Sequence, residues 1–209
     1  MQVKICGVTN LEDARQAVDA GADALGFNFW PDGKRYVDPA VVGEIVKDLP
    51  PFVTCVGVVV NASFEDANRI LDVAHLDILQ LHGDELPEFC ARFDRPIIRA
   101  LRVGDAFGEQ DIVPYQEAGV RTFLLDAAKP GHYGGTGETF DWTAVETAKS
   151  FGRVILAGGL TPKNVAEAVR TASPYAVDTA SGVEREPGIK DSDKVSAFIQ
   201  QAKQASTES

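Results

Sequence analysis

The chain has 209 residues, of which 44% are hydrophobic and 24% are charged, a balance typical of a globular protein with one sizeable core. No apolar run reaches the roughly 20 residues that a membrane-spanning helix requires, and the start of the chain lacks the basic and apolar pattern of a signal peptide. The formal net charge of −11 argues against nucleic acid and anionic membranes as partners, because a surface of this sign repels phosphate groups.

We therefore expect a cytoplasmic protein in which residues 1–209 form one domain, with a polar tail from about Gln204. The three cysteines, Cys6, Cys55 and Cys90, form no CxxC pair, which argues against a disulfide framework and against a cysteine zinc site. Cys55 and Cys90 fall in apolar segments and are expected to pack in the core. The three histidines lack the spacing of helical metal ligands, so no bound metal is expected.

Eight apolar runs with the length of buried parallel strands recur at intervals of about 25 residues, and a segment with helical periodicity follows each. In chain order the predicted strands are Val3–Cys6, Ala24–Phe29, Val53–Val60, Ile78–Leu81, Pro96–Val103, Thr122–Asp126, Val154–Ala157 and Tyr175–Thr179. No dinucleotide-binding fingerprint follows the first strand. The regular alternation favours an α/β fold of the (βα)8 TIM-barrel type over an open doubly wound sheet.

Several helix starts are also predicted from capping residues. Thr9 with Glu12 forms a capping-box pattern before the first helix, and Ser63 is the expected cap of the third. Thr161 is expected to cap the seventh helix, with Pro162 in its first turn. The fifth and sixth helices have weak patterns.

Polar or ionisable side chains stand at the ends of the first, fourth, sixth and eighth predicted strands: Lys4, Cys6, Gln80, His82, Asp126 and Asp178. Burying such groups in a barrel costs free energy unless they face a ligand or one another. Because enzymes of this fold keep their chemistry at the carboxyl ends of the strands, the pattern predicts one shared site at that mouth. A polar network that closes the barrel is the alternative for Gln80 and Asp178.

Two of these residues have the properties of an acid and a base. Cys6 is a candidate nucleophile or base, since Lys4 could favour its thiolate form, and simple packing is the alternative. Asp126 precedes a glycine-rich stretch, Ala127–Glu138, that we expect to form a lid. Desolvation under such a cover would raise the pKa of the Asp126 carboxyl group and suit it to general-acid work, whereas anchoring the loop is the alternative.

Two loops have the composition of an anion site. Gly158-Gly159 follows the seventh strand and Ser181-Gly182 follows the eighth. Without side chains in the way, backbone N–H groups can approach a phosphate, and these two loops are where this fold usually binds one. Arg35, after the second strand, has a planar guanidinium that could hold a carboxylate through two parallel hydrogen bonds, and a solvated surface arginine is the alternative.

Seven strings of residues carry a resemblance to a known family. They are Lys4-Ile5-Cys6-Gly7-Val8-Thr9; Gly26-Phe27-Asn28-Phe29 with Lys34-Arg35-Tyr36; Gln80-Leu81-His82-Gly83; Leu124-Leu125-Asp126; Gly134-Gly135-Thr136-Gly137 with Phe140-Asp141-Trp142; Leu156-Ala157-Gly158-Gly159-Leu160; and Asp178-Thr179-Ala180-Ser181-Gly182-Val183-Glu184. As an ordered set they closely resemble the phosphoribosylanthranilate isomerase family of tryptophan biosynthesis. The match spans essentially the whole chain.

The resemblance implies an aldose–ketose isomerase that works without a metal or an organic cofactor. Its reaction would be an Amadori rearrangement that converts N-(5-phosphoribosyl)anthranilate into 1-(2-carboxyphenylamino)-1-deoxyribulose 5-phosphate. The residue matching Asp126 would protonate the furanose ring oxygen, and the residue matching Cys6 would remove the C2′ proton. Arg35 would hold the anthranilate carboxylate, and the phosphate would bind at Gly158, Gly159, Ser181 and Gly182.

His82 and Asp178 are the further candidates for contact with this small-molecule substrate, and for His82 the alternative is that it holds a neighbouring loop. Because family members are found as monomers and dimers, the resemblance also implies that the chain is a monomer or a homodimer. Two segments depart from the family pattern, namely the loop Trp30–Arg35 and the pair Thr179-Ala180 in the eighth strand. Neither departure removes a candidate acid or base.

Two other phosphosugar barrels and one binding protein are the competing hypotheses. An aminoimidazole-ribonucleotide isomerase of histidine synthesis would have an aspartate in place of Cys6, and an indole-glycerol-phosphate synthase would have a lysine-rich set that strands two to four lack. A noncatalytic sensor of phosphoribosyl ligands would need neither Cys6 nor Asp126. The presence of both residues therefore favours the isomerase.

Overall fold

Eight parallel strands close into a barrel in the computed structural model, which describes residues 1–127, 142 and 144–207. The strands are β1 Gln2–Cys6, β2 Ala24–Asn28, β3 Thr54–Val59, β4 Ile78–Leu81, β5 Ile97–Val103, β6 Thr122–Ala127, β7 Arg153–Leu156 and β8 Ala176–Thr179. Each strand pairs with the next, and β8 pairs with β1 to close the ring. The predicted fold class is confirmed, and the observed strands coincide with the eight predicted runs to within one or two residues at each end.

Helices on the outside of the barrel connect the strands. They are α1 Leu11–Asp19, α2 Pro39–Lys47, α3 Phe64–Val73, α4 Pro87–Cys90, α5 Val113–Glu117, α6 Ala144–Lys149, α7 Val165–Ala172 and α8 Ser192–Thr207. After β8 the chain forms a single 3₁₀ turn, Ser181–Val183, and then a small antiparallel hairpin of β9 Glu184–Glu186 and β10 Ile189–Lys190. Among the described residues no helix is long and apolar enough to span a bilayer.

The first and third helices differ in how well their starts were predicted. Ser63 caps α3 as expected, since its hydroxyl accepts a hydrogen bond from the N–H of Asp66 at 3.0 Å. The cap of α1 is Asn10 and not Thr9, because the Asn10 side chain accepts from the N–H of Asp13 at 2.8 Å. The Thr9 hydroxyl is used elsewhere, in a 2.6 Å hydrogen bond to the carbonyl oxygen of Gly188.

The seventh helix starts later than predicted, although the Thr161 hydroxyl accepts from the N–H of Lys163 at 3.3 Å, as a capping residue would. α7 begins at Val165, and Thr161 and Pro162 lie in the turn before it. The reason is a local hydrogen bond: the Asn164 side chain accepts from the N–H of Thr161 at 2.7 Å, which holds the segment as a turn.

The C-terminal segment is helical where a polar tail was expected. α8 continues through Thr207, and Ala205 is buried. The N-terminal amino group of Met1 donates a hydrogen bond to the Ser206 hydroxyl at 3.3 Å. The prediction of a tail from Gln204 is therefore wrong as far as Thr207, because the helix continues and buries the Ala205 side chain in the core.

The interior of the barrel contains its own apolar cluster, separate from the larger core between strands and helices. Its members are Val56, Ile98, Ala100, Leu124, Ile155, Ala157 and Ala176. Because residues two apart on a strand share a face, the residues two positions beyond Leu124 and Ala176 also point inward, nearer the carboxyl-end mouth. These are Asp126 and Asp178, so the strand alternation that fills the interior with apolar groups also places carboxylates at its mouth.

Candidate active site

A cavity lies at the carboxyl-end mouth of the barrel. Its lining is Cys6, Gly7, Asn28, Arg35, Val58, Gln80, His82, Asp126, Ala157, Gly158, Gly159, Leu160, Asp178, Thr179, Ala180 and Ser181. Among the candidate site residues from the sequence, Lys4 and Gly182 lie outside this set and the others are in it. The lid predicted over Ala127–Glu138 lies outside the described residues apart from Ala127, which ends β6.

At one side of the cavity Lys4 and Asp178 form a buried ion pair. They are directly opposite each other on the neighbouring strands β1 and β8, and Lys4 Nζ lies 2.9 Å from Asp178 Oδ1. Burial alone would lower the pKa of Lys4, but the negative charge of Asp178 and its hydrogen bond, joined by Cys6 when that thiol is ionised, outweigh burial and raise this pKa above the ordinary lysine value. Lys4 is therefore a permanent cation beside the Cys6 thiol.

The Cys6 thiol is not activated in the way the sequence suggested. Burial raises the pKa of Cys6, and although the charge of Lys4 lowers it, the net pKa stays above the ordinary thiol value. Asp178 also raises it, because a second negative charge nearby disfavours the thiolate. The expectation that Lys4 would favour the thiolate is correct in direction, but the loss of hydration outweighs it.

Gly26 on β2 makes room for both of these groups. It pairs with Cys6 in the β1–β2 register. A Cβ at this position would lie 2.7 Å from Cys6 Sγ and 2.9 Å from Lys4 Nζ, closer than van der Waals contact allows. The missing side chain therefore lets the thiol and the ammonium lie side by side in the mouth of the barrel.

On the opposite side of the mouth stands Asp126, at the end of β6. Its Oδ1 accepts a hydrogen bond from the N–H of Ala127 at 2.9 Å, and its Oδ2 lies 3.5 Å from His82 Nε2. Gly158 passes directly over it with a φ of +80°, and a Cβ there would lie 3.0 Å from Asp126 Oδ1. One carboxylate oxygen is thus fixed by the backbone, and the other faces the histidine and the cavity.

His82 is oriented by Gln80, two residues earlier on β4. Gln80 Nε2 and His82 Nδ1 are 2.9 Å apart. If the amide donates to Nδ1, the neutral imidazole carries its proton on Nε2, which faces Asp126. Within the described residues His82 Nε2 and Gln80 Oε1 are buried without a hydrogen-bond partner. Two orphaned polar atoms that border a cavity are what a polar ligand would satisfy.

The loops after β7 and β8 are pressed together beside the cavity. The hydroxyl of Thr179 donates to the carbonyl oxygen of Leu160 at 2.7 Å. Gly182 lies outside the cavity lining, and a Cβ on it would overlap the same Leu160 oxygen. The absence of a side chain at Gly182 therefore serves the contact between the loops, while Gly159 and Ser181 border the cavity itself.

Arg35 reaches the cavity from the loop after β2, but it already holds a carboxylate of its own chain. Its Nε donates to Glu184 Oε1 and its Nη2 to Glu184 Oε2, each at 2.7 Å. Burial raises the pKa of Glu184, but the hydrogen bond from Arg35 and the charge of Lys190 outweigh it and hold this pKa below the ordinary glutamate value. The guanidinium is thus fixed in place before any ligand binds.

Sequence reasoning missed three polar residues of this region. Asn28 ends β2 and lines the cavity, and its position at a strand end, like that of His82, was a signal that could have found it. Glu184 and Lys190 lie on the hairpin after β8 and had no such signal, because their partners are remote in sequence. Among the described residues no three or more His, Cys, Asp and Glu side chains are grouped as metal ligands.

Residues 3–201 match the family model of N-(5′-phosphoribosyl)anthranilate (PRA) isomerase. The chain is 52% identical over 203 residues to the N-(5′-phosphoribosyl)anthranilate isomerase of Geobacter metallireducens, covering 97% of this chain and 99% of that protein. It is 51% identical over 203 residues to the enzyme of the same name from Geotalea daltonii, covering 97% of both chains.

Solved structures of the same kind of protein superpose closely. The phosphoribosyl anthranilate isomerase of Thermotoga maritima superposes with a TM-score of 0.88 at 40% identity, over 98% of this chain and 99% of that one. A phosphoribosyl anthranilate isomerase in complex with reduced 1-(o-carboxyphenylamino)-1-deoxyribulose 5-phosphate superposes with a TM-score of 0.83 at 39% identity, over 98% and 99% of the two chains.

Proposed function

The chain belongs to the N-(5′-phosphoribosyl)anthranilate isomerase family, and from this membership we propose how its own side chains carry out the reaction. It is an isomerase of tryptophan biosynthesis that converts an aldose into a ketose within one molecule. N-(5-phosphoribosyl)anthranilate becomes 1-(2-carboxyphenylamino)-1-deoxyribulose 5-phosphate. Because C2′ is oxidised as C1′ is reduced, the rearrangement needs no external oxidant or reductant.

In the proposed binding mode the substrate lies across the mouth of the barrel with an anion at each end. The phosphate sits against the loops after β7 and β8, where Gly158, Gly159, Ser181 and the backbone of Gly182 offer N–H donors. The anthranilate carboxylate sits at Arg35. Both groups border one cavity in this structure, which supports a ligand that spans it.

Asp126 is the proposed general acid. Its Oδ2 gives a proton to the ring oxygen of the furanose, the C1′–O bond breaks, and the nitrogen lone pair forms a protonated Schiff base. The position of this oxygen supports the role, since Oδ1 is engaged with the backbone and Oδ2 is directed toward His82 and the cavity. His82 is proposed to bind the substrate beside Asp126, where its unpartnered Nε2 can reach a sugar oxygen.

Cys6 is the proposed base for the second step. As a thiolate it removes the C2′ proton, which gives an enolamine stabilised by the aromatic amine. Tautomerisation then delivers a proton to C1′ and releases the hydroxyl proton of C2′, so that both catalytic groups return to their starting forms. Lys4 stabilises the thiolate, and Asp178 is proposed to hold a substrate hydroxyl through Oδ2 while Oδ1 binds Lys4.

One observation carries this assignment: Cys6 and Asp126 border the same cavity although they come from β1 and β6, which are not neighbours in the barrel. A sugar between them would have the acid on one side and the base on the other. This opposed placement suits a reaction that protonates one atom and deprotonates another.

The test measures the turnover kinetics of Asp126→Asn and Cys6→Ser, with the fluorescence of the substrate as the readout. Each variant is expected to lose roughly 100- to 10,000-fold in kcat, since general acid and base groups typically contribute that much, and to bind the reduced product almost as well as the unmodified chain. Cys55→Ala, which removes a buried thiol outside the cavity, is the control and should keep normal turnover. Equal losses in turnover and in product binding would instead assign Asp126 and Cys6 a structural role.

As for assembly, we propose that the chain works as a monomer or a homodimer. A related Thermotoga maritima protein is described as dimeric and has been made as a monomer. The proposed acid, the proposed base and the groups proposed to bind the two anions all lie on one chain and border one cavity, which supports a site that needs no residue from a partner.

A further inference from the structure

Glu184 and Lys190 take no part in the proposed chemistry, yet their side chains converge on the groups that do. Both lie on the hairpin formed by β9 and β10, directly after the loop proposed to bind phosphate. Their side chains are 5% and 1% exposed, and they are bonded to each other, with Lys190 Nζ 3.0 Å from Glu184 Oε1. Burying a charged pair costs desolvation free energy. The other contacts of these two side chains show what the pair holds in place.

The first of these contacts fixes the orientation of Arg35. A guanidinium has five N–H donors, and Glu184 takes two of them along one edge, at Nε and Nη2. Within the described residues no hydrogen bond engages Nη1, so the end-on edge formed by Nη1 and Nη2 remains for a second planar anion. On its other side the Arg35 side chain crosses over Gly7, where any Cβ would collide with Arg35 Cδ.

The second set of contacts ties the same network to the reacting end of the site. Lys190 Nζ donates to the carbonyl oxygen of Cys6 at 2.6 Å and to that of Ala180 at 3.3 Å. The first carbonyl belongs to Cys6, the proposed base. The second belongs to Ala180, which directly precedes Ser181 in the proposed phosphate loop. One ammonium group thus connects the end of β1, the end of β8 and the partner of Arg35.

The hairpin itself is anchored to the loop after β1 and to the first turn of α1. The Lys190 N–H donates to Asp13 Oδ2 at 2.8 Å, and the Thr9 hydroxyl donates to the carbonyl oxygen of Gly188 at 2.6 Å. These contacts hold Glu184 in place from outside the cavity. Its carboxylate is therefore a fixed reference for Arg35 and not a mobile surface group.

The charges of the cluster formed by Arg35, Glu184 and Lys190 favour the binding of an anion. Two cations, Arg35 and Lys190, surround one carboxylate, so the cluster keeps one net positive charge in a chain whose formal charge is −11. Glu184 consequently orients the guanidinium without cancelling the attraction for a second carboxylate.

We propose that Glu184 is a positioning residue that holds Arg35 with its end-on edge toward the cavity, and so makes the site selective for a substrate whose aromatic amine carries a carboxylate. The inference rests on the proposed function, because it takes the anthranilate carboxylate as the partner of Arg35. Glu184 therefore affects recognition of the carboxylate, and it has no part in ring opening or in proton removal.

The experiment compares two ligands that differ only in this carboxylate. The first ligand is the reduced form of the product, reduced 1-(o-carboxyphenylamino)-1-deoxyribulose 5-phosphate. The second is the same compound made with aniline in place of anthranilate, so it lacks the carboxylate. Their Kd values are measured for the unmodified chain, Glu184→Gln, Glu184→Asp and the control Glu186→Gln, which makes the same charge change at an exposed position on the same strand. Thermal unfolding of each variant checks that it is folded.

Glu184→Gln should weaken binding of the carboxylate ligand by roughly ten- to a hundredfold, because an amide cannot accept from both Arg35 donors and the guanidinium loses its orientation. Binding of the aniline ligand should change less than twofold. Glu184→Asp, which keeps the charge but is one methylene shorter, should give an intermediate loss with the same selectivity, and Glu186→Gln should give none. In turnover of the natural substrate, the loss should fall on KM far more than on kcat.

Equal losses on both ligands would make Glu184 a general structural support, and tighter carboxylate binding in Glu184→Gln would mean that it competes with the substrate for Arg35. Either result overturns the proposal. Because Glu184→Asp keeps the buried charges paired, it decides the question if Glu184→Gln does not fold. Failure of the unmodified chain to turn over phosphoribosylanthranilate would be a different result, since it would contradict the proposed mechanism and not the role of Glu184.

Discussion

At the level of single residues, the thiol of Cys6 shows how two opposing electrostatic effects combine. Lys4 lies close enough to lower the pKa of Cys6, but burial, the larger effect, raises it above the ordinary thiol value of about 8.5. The resting protein therefore holds a neutral thiol at neutral pH. The proposed base is formed only in the fraction of molecules that lose this proton.

The reactivity of the thiol tests this balance. Only the thiolate is alkylated, so with a raised pKa the rate of Cys6 modification by iodoacetamide should increase by about tenfold per pH unit from pH 7 to pH 9 without levelling. Mass spectrometry of the Cys6 peptide measures the rate, and the buried Cys55 and Cys90 serve as slow internal references. A plateau below about pH 8 would show that Lys4 outweighs burial after all.

At the level of elements, α8 brings residues near both ends of the chain together. It packs against α7 and α1, and near its end Ser206 accepts a hydrogen bond from the amino group of Met1. The preceding residue, Ala205, is buried. The last turn of α8 is thus part of the folded structure, and its removal should cost stability.

Truncation measures this contribution. Ending the chain after Lys203 should lower the free energy of unfolding in urea by about 1 kcal/mol, because it exposes the apolar surface that Ala205 covers and removes the hydrogen bond of Ser206. Ending it after Thr207 is the matched control and should leave the unfolding midpoint unchanged. If both truncations behave alike, the segment after Lys203 does not contribute to stability.

At the level of the whole molecule, one chain supplies both proposed anion sites and both proposed catalytic groups. The closed barrel makes this possible, because its strands converge on a single mouth. Association into a dimer would therefore change stability or solubility without completing the site.

Dilution tests this independence. The kcat per chain should vary by less than about twofold between nanomolar and micromolar protein, whichever assembly sedimentation shows at each concentration. A fall in kcat that follows dissociation of a dimer would mean that a second copy contributes to the site.

The sequence by itself determined the barrel and most of the proposed site. Strand length and alternation are local properties, and in a parallel barrel the end of each strand is also the edge of the mouth, so Cys6, His82, Asp126 and Asp178 could be placed from their strand positions alone. The start of α1 was misplaced by one residue because the adjacent Asn10 side chain accepts from the N–H of Asp13, and the start of α7 was misplaced because the Asn164 side chain accepts from the N–H of Thr161 and holds that segment as a turn.

Only the tertiary structure decided which charged groups face one another. Arg35 and Glu184 are 149 positions apart in the sequence, and Lys190 and Cys6, whose carbonyl it binds, are 184 positions apart. No local sequence pattern predicts either contact. The same holds for the pKa of Cys6, because burial of the thiol in the folded chain raises it by more than the neighbouring Lys4 lowers it. Local periodicity fixes where a strand ends, whereas electrostatics depends on distances through space that exist only after the barrel has closed.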